Sequence, residues 1–579
     1  MLPCSTIEED FLSEEEFLGA GGSAEAGDHL VARHAFTLEV FRATGSILVF
    51  FLPSFMVKMC NFLASLLKRK QRSSPPEVDR YLAPATSLST GSSRISPTAY
   101  LDGLRGVAAL IVYVFHWLYL WFPQLRKGYG SSSDATLLLQ LSPLRVLHSG
   151  RSSVTIFFVI SGYVLTLKTL KNIYCGQNEQ AIDSLAGGLF RRLFRLYLPM
   201  CMATLFILVL VRLELFQPDH TGMGAPKRLE SLQSQLLHWW IVTCDMIDPF
   251  RLVHGRLNIY SPPYDGHLWT IPVEFKGSLV VFVLVLASIP VKRWIHLLVT
   301  STIAVLLARA GEMDNALFCA GLILAELSLL SPPEREDGPA PLSTTDDDTL
   351  SLGEGIQELK EHRGKTTTRI GQLLFVICRH MVTMSVMAVS VHFLSYPEND
   401  GHATPGFRTI SSWAPAAYKD EFMIQWFWNS VGSVLFVVSL MYSPPLGRIT
   451  SPRARHLTQP RPPPLLQRIF NTSVAQYLGK ISYSLYLAHG TVNHTVGVRY
   501  LNPAWADWTA AEALGQQAGR EIGVATIQDA WNVYVRRCVW ATLVNTFILF
   551  WISDVFWRGV DAPMVVLTRN IWHWAKRKD

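Results

Sequence analysis

YLDGLRGVAALIVYVFHWLYLWF, residues 100–122, decides how this chain is read. The run is long enough to cross a hydrocarbon core of ~30 Å. Inside it lie the ionisable side chains of Arg105 and, deeper in the run, His116. Such groups at membrane depth are costly and are candidates for function. They are 116 − 105 = 11 residues apart. On a helix that is about three turns plus ~20°, so both share a face ~16 Å apart in height. The spacing suits a cationic anchor at one end of a helix and an acid/base imidazole near mid-membrane. The competing account is an arginine that snorkels at a helix start and a core histidine satisfied by a hydrogen bond.

The rest of the chain agrees with a membrane reading. Of its 579 residues 49% are hydrophobic and only 17% charged, against roughly a quarter charged in soluble proteins. About ten apolar segments of spanning length recur, near 103–122, 153–171, 193–212, 268–289, 292–310, 314–330, 370–394, 426–443, 477–495 and 536–557. The expected fold is all-α, a polytopic membrane protein with about ten transmembrane helices. The net charge of +6 comes from short basic clusters between these runs, which membrane topology requires, so it does not indicate nucleic acid. The eight cysteines are scattered, with no spacing of the kind that zinc or redox sites use. No metal site is read from the sequence.

Three regions follow. Residues 1–95 begin acidic, without the basic start and apolar stretch of a signal peptide. Within them SILVFFLPSFMVKMCNFLASLLKRK (46–70) has the length to span, but Pro53 and Lys58 favour an interfacial helix anchored by Lys68, Arg69 and Lys70. A Ser/Pro-rich linker comes next. Residues 96–570 form the transmembrane domain, and 571–579 a basic tail. Inside the domain, 331–365 and 443–468 are polar connectors of disordered composition. Lys168, Lys171, Arg191, Arg192, Arg195, Lys292, Arg293, the arginines of 448–468 and Lys576–Lys578 fall on one side if residue 103 starts in the cytosol. Both termini are then cytosolic. Arg126, Lys127, Arg145 and Arg151 on the opposite side weaken the bias. The chain is thus expected to be a multi-pass protein, with endomembrane and plasma membrane not distinguished.

With that orientation the polar groups sort by depth. Arg105 sits near the cytosolic end, and Arg191, Arg192 and Arg195 of LFRRLFRLYLP open the third span from the same side. HLWTIPVEF (267–275) descends from the other face and carries Glu274 ~10 Å in. YLGKISYSLYLAHG (477–490) carries Ser482, Tyr486 and, ~18 Å above its start, His489. His116, Glu274 and His489 are therefore expected at similar depth, with the arginines toward the cytosol. Guanidiniums bind phosphates through charge-assisted, bidentate contacts. An imidazole away from bulk water suits deprotonation of a hydroxyl, and a neighbouring carboxylate would orient it. The simpler readings are positive-inside anchoring for RRLFR, bracing of a broken helix for Glu274 beside Pro272, and packing for the aromatics. His148, His238, His254, His380 and His392 are isolated and receive no role.

Five separated strings, taken in order, resemble the acyltransferase-3 family of membrane acyltransferases. YLDGLRGVAALIVYVFHW resembles its first-helix motif, TIFFVISGYVLTLK its FFxxSGF element with Tyr163 in the aromatic place, and FRRLFRLYLP its Arg-rich third helix. HLWTIPVEF is similar to LWSLxVEEQ/F with Thr270 for Ser, and YLGKISYSLYLAHG to LGxxSYxLYLxH. The resemblance covers roughly 97–570. It implies ten helices, an acyl-CoA donor (often acetyl-CoA) and esterification of a hydroxyl, with no permanently bound cofactor. It implies His116 as the catalytic histidine with Arg105 as its partner. Arg191, Arg195, Glu274, Ser482, Tyr486 and His489 become site residues on the same basis. The loop 213–266 with LQSQLLHWWIVTCDMI, the inserts at 331–369 and 443–475, and the N-terminal 95 residues exceed the compact bacterial pattern and look more like fungal members.

The expected mechanism is direct O-acyl transfer. Phosphates of CoA rest on Arg105, Arg191 and Arg195, with Arg192 beside them. His116 is general base on the acceptor hydroxyl, and Tyr486 or Ser482 faces the oxyanion. An acyl-enzyme remains an alternative. The rival class is a carrier, since intramembrane Arg, His and Glu also build proton-coupled transport; the missing half-chain repeat speaks against it. A catalytically inactive scaffold is the third reading. The acceptor's class, the acyl length and the oligomeric state are left open by the residues.

Overall fold

In the computed structural model, residues 97–249, 261–330, 354–445, 463–517 and 520–576 are described. The expected interfacial helix at 46–70, the linker after it and most of both polar connectors lie outside these residues. Thirteen longer helices carry the architecture among the described residues: α1 (Ala99–Trp121), α2 (Gly150–Tyr174), α3 (Asn178–Arg212), α4 (Leu232–Ile247), α5 (Thr270–Ser288), α6 (Arg293–Arg309), α7 (Met313–Ser328), α8 (Glu354–Leu394), α9 (Glu421–Tyr442), α10 (Ser473–Val492), α11 (Val498–Gln517), α12 (Arg520–Phe556) and α13 (Ala562–Ala575). No strand occurs among the described residues beyond two isolated bridges, Lys127 with Asn399 and Pro445 with Pro464.

All ten apolar segments are helical. Among the described residues, seven helices are long and apolar enough to cross a membrane: α1, α2, α3, α5 with the turn before it, the apolar part of α8, α9 and the stretch Ala525–Ala575. On those terms seven of the expected ten or so spans stand, and the count of ten is not reached among the described residues. At 17 and 16 residues, α6 and α7 are short. Helix α10 has 20 residues, but Gln476, Lys480, Ser482, Ser484 and His489 dilute its apolar character. The protein is all-α and polytopic, and the amphipathic segment of the long third loop is the helix α4.

Helix α2 is the hub, in contact with α1, α3, α5, α7 and α9. Its neighbour α1 pairs most closely with α10, and glycines explain how. A Cβ on Gly106 would stand 2.1 Å from the backbone nitrogen of Gly479, and one on Gly479 would stand 2.3 Å from the Asp102 carbonyl. Bare backbones thus touch, the small-residue solution for helices that gain nothing from hydrophobic association in lipid. The same device joins α2 to α7, where a Cβ on Gly162 would meet the Phe318 carbonyl at 2.1 Å. The α1–α10 contact brings the Arg105–His116 face of one helix against the Ser482–His489 face of the other.

The chain enters α5 through a 3₁₀ turn, Gly266–Trp269, capped by the Asp265 carboxylate, which accepts the His267 N–H at 3.0 Å. Pro272 is the third residue of α5, in the first turn, where a backbone N–H has no helical partner to lose. Pro199 lies inside α3 and leaves the Arg195 carbonyl without its usual N–H partner. One residue on, the Leu196 carbonyl accepts the Tyr483 hydroxyl of α10 at 2.5 Å. Above α1, buried Arg145 donates to the carbonyls of Leu125, Arg126 and Lys127 at 2.7, 2.8 and 2.9 Å and fastens the loop between α1 and α2. His148 braces that loop through Tyr119 and the Leu139 carbonyl.

Candidate active site

Two cavities adjoin along the face of α1. The upper one, of about 450 Å³, is lined by His116, Phe115, Arg151, His267, Trp269, Phe422 and others. The lower, of about 50 Å³, is lined by Arg105, Phe157, Phe158, Glu274, Ser482 and Tyr483. Val112, Val154, Thr270 and Tyr486 belong to both. The eleven-residue spacing on α1 therefore puts Arg105 in one chamber and His116 in the other.

His116 is part of a cluster of three imidazoles. Its ring centroid lies 3.8 Å from that of His267 and 5.3 Å from that of His489. His267 and His489 are 4.6 Å apart by the same measure. One ring nitrogen from each lies within 4.8 Å of the other two, so the trio has the donors to hold a metal ion. His489 is 1% exposed and its Nδ1 is 2.6 Å from the Tyr486 carbonyl. Asp265, buried beside the cluster, stands 2.8 Å from His267 Nδ1. Gly490 makes the room for that carboxylate, since a Cβ there would stand 2.6 Å from Asp265 Oδ2.

Glu274 is elsewhere. It was expected beside His116 and His489; instead it lies in the lower chamber, 2.7 Å from Arg192 and accepting the Ser161 hydroxyl at 3.0 Å. The 3₁₀ turn explains the difference. It delivers His267 to the level of His116, and Glu274, seven residues further along, sits ~10 Å lower. The carboxylate beside the imidazoles is Asp265.

The three arginines of α3 diverge, as residues on a 100° helical repeat must. Arg192 pairs with Glu274. Arg195 is exposed, within electrostatic reach of Arg105 and Asp561. Arg191 lies near Gly187 and Trp572. None of the three lines either chamber. Arg105 itself is 3.9 Å from Asp102. Ser482 donates to the Gly479 carbonyl at 2.9 Å. Tyr486, at the wall between the chambers, donates its hydroxyl to the His267 carbonyl and is 2.7 Å from the Thr270 hydroxyl.

Three site residues were not singled out from sequence. His267 stood in the quoted HLW string, but ahead of the helical repeat, and Asp265 preceded the string altogether. From sequence, Arg151 reads as a topology charge. In the structure it is 3.4 Å from Glu398, donates to Gln425 and stacks over Phe422 at 4.3 Å, facing the upper chamber. Asn493, of the tripeptide Asn493-His494-Thr495 that has the N-glycosylation pattern, is 3% exposed, so its amide nitrogen is not presented to solvent.

The family profile described as an acyltransferase domain, acyltransferase 3, matches residues 98–516. The chain belongs to the acyltransferase-3 family. It is 28% identical over 466 residues to an O-acetyltransferase, PaAT-1, of Phomopsis amygdali, covering 76% of this chain and 83% of that one. It is 26% identical over 449 residues to acyltransferase clz18 of Cochliobolus lunatus, covering 71% and 85%. With acyltransferase R4 of a Phoma species the identity is 25% over 449 residues, covering 71% and 86%. These relatives support a fungal-type member. No solved structure matches.

Proposed function

We propose that this protein is a membrane O-acyltransferase that moves an acyl group, acetyl being the first to test, from acyl-CoA to a hydroxyl of a small molecule, sugar or lipid. The observation that carries the reading is the pair of adjoining chambers. One holds a cation, Arg105, and the other an imidazole, His116, and Tyr486 stands in their common wall. That arrangement suits two substrates whose reacting ends meet at the wall. The O-acetyltransferase name of the Phomopsis relative supports the same chemistry.

The donor's phosphates rest against Arg105 and the exposed Arg195 on the side where the α3 arginines lie. Arg192 is held by Glu274, which itself lines the lower chamber. Arg191, against Gly187 and Trp572, is the least suited of the three to reach the donor. The acyl thioester lies along Arg105, Ser482 and Tyr486, and the acceptor occupies the upper chamber. His116 takes the proton of the acceptor hydroxyl as its oxygen attacks the thioester carbon. The Tyr486 hydroxyl turns from the His267 carbonyl to the oxyanion. The C–S bond breaks, and CoA leaves with the proton that His116 held. The result is an ester and free CoA, with no acyl-enzyme required. The transmembrane domain is taken to run over 96–570, after the N-terminal region 1–95 and before the basic tail 571–579. Both termini lie in the cytosol, where acyl-CoA is supplied.

Membranes containing the protein, labelled acetyl-CoA and a metabolite extract of the host test this. Base-labile label in an extractable product with the wild type, and none with His116→Ala at equal folded protein, is the expected result. Equal turnover by the His116→Ala variant overturns the base assignment. Counterflow of label without product overturns the enzyme reading.

A further inference from the structure

We infer that His116, His267 and His489 form a binding site for a single divalent cation of the zinc type. Their donor nitrogens lie within 4.8 Å of one another, and a tetrahedral zinc ion wants them roughly 3.4 Å apart, from metal–nitrogen bonds of ~2.0–2.1 Å. Loading such an ion therefore requires the rings to draw in by up to about 1.4 Å. Imidazole is also a ligand type that suits zinc and its neighbours.

A hydrogen bond prepares one of the rings, and a carboxylate stands behind a second. A ring nitrogen beside a backbone carbonyl carries the proton, so His489 Nδ1, at 2.6 Å from the Tyr486 carbonyl, is the N–H. This leaves the Nε2 lone pair free, and that atom is buried with no hydrogen-bond partner among the described residues. At His267 the Asp265 carboxylate stands 2.8 Å from Nδ1, at ion-pairing distance, while Nδ1 makes no hydrogen bond among the described residues. A carboxylate or carbonyl behind a ligating imidazole fixes its tautomer and raises its basicity. Asp265 also places a negative charge beside the cation in a poorly solvated region, and its Oδ2 has no hydrogen-bond partner among the described residues.

The rings do not satisfy one another. Among the described residues no hydrogen bond joins any two of them, although their centroids are 3.8 to 5.3 Å apart. Nitrogen lone pairs converging on one point repel unless a positive charge lies between them. Three histidines with a fourth side open to a cavity of about 450 Å³ match the ligand count of zinc sites that keep an open position. The three positions are 151 and 222 residues apart in sequence (267 − 116 and 489 − 267), so no local spacing announces them.

In one respect the inference rests on the proposed function: an ion on His116 takes the lone pair that the transfer step uses. The loaded protein is therefore the idle form, and the cation is an inhibitor that competes for the base.

The test uses full-length protein purified in detergent with any affinity tag removed. The protein is stripped with chelator and titrated with Zn²⁺, and in parallel with Co²⁺ as a spectroscopic probe. One equivalent per chain, with the intense visible bands of four-coordinate Co²⁺, is expected. His267→Ala and His489→Gln each abolish those bands, His380→Ala keeps them, and Asp265→Asn weakens affinity by ~10–100-fold. Absence of stoichiometric binding by the wild type overturns the site and leaves the general-base reading intact. Binding that persists in all the histidine variants also overturns it. Turnover is then measured with and without Zn²⁺, and loss of transfer on loading, restored by chelator, supports the inhibitory role. If the loaded protein is the active one and chelator abolishes transfer, the cation site stands and the general-base reading falls.

Discussion

Gly490→Ala probes the histidine cluster without touching any of its members. The added Cβ would stand 2.6 Å from Asp265 Oδ2 and 2.9 Å from both Cγ and Oδ1, where ordinary contact begins at 3.4 Å. The carboxylate must therefore retreat by 3.4 − 2.6 = 0.8 Å. It cannot do so freely, because Oδ1 both accepts the His267 N–H at 3.0 Å and lies 2.8 Å from the ring nitrogen. Alanine in a helix interior gains ~0.5–1 kcal/mol over glycine, while crowding a packed site costs ~1–3 kcal/mol. The balance leaves a folded protein, at most modestly less stable. Catalysis is less forgiving, since a shift near 1 Å in a positioning group can cost ~100-fold. We expect transfer to fall by ~10–100-fold with the Michaelis constant for acyl-CoA unchanged. The assay is initial-rate transfer of labelled acetyl groups, normalised to monodisperse protein from size exclusion. A folded Gly490→Ala protein that turns over like the wild type would refute the coupling of Asp265 to His267 and His116.

Other perturbations read other parts of the fold. Arg192→Met strips the partner from Glu274 and should cost roughly 3 kcal/mol; adding Glu274→Leu should recover much of it, as a melting temperature in detergent will show. Gly106→Val drives a side chain into the backbone of α10, 2.1 Å away, and should yield no folded protein, whereas Gly188→Ala, with its nearest neighbour at 3.5 Å, should express normally. Tyr486→Phe removes the hydroxyl assigned to the oxyanion and should lower kcat by ~100–1,000-fold; an unchanged kcat in steady-state kinetics removes that role from Tyr486.

The parts of the site that could be read from the chain are those that obey a helical repeat. Arg105 and His116 share a face because eleven residues close almost three turns, and their helix meets the one bearing Ser482, Tyr486 and His489. Glu274 was placed too high because the turn at Gly266–Trp269 shifts where α5 begins, and no apolar periodicity reports on four residues of 3₁₀ helix. The same turn hid His267 and Asp265, whose roles come from a capping geometry and from partners more than a hundred residues away. The arginines of α3 were grouped by charge. Angle separates them, with Arg192 toward Glu274 and Arg191, four residues after Gly187, toward Trp572. Arg151 carried no local signal, since a helix start is where topology alone also places a basic residue.

The shared wall has a further consequence under the proposed reading. Val112, Val154, Thr270 and Tyr486 border both chambers, so altering any of them disturbs donor and acceptor at once. Ser261, Phe422 and Trp269 border only the upper one. Selectivity for the molecule being modified is thereby insulated from recognition of the activated carrier. A library confined to those three outer positions can redirect the enzyme to new alcohols while its appetite for the thioester stays as it was.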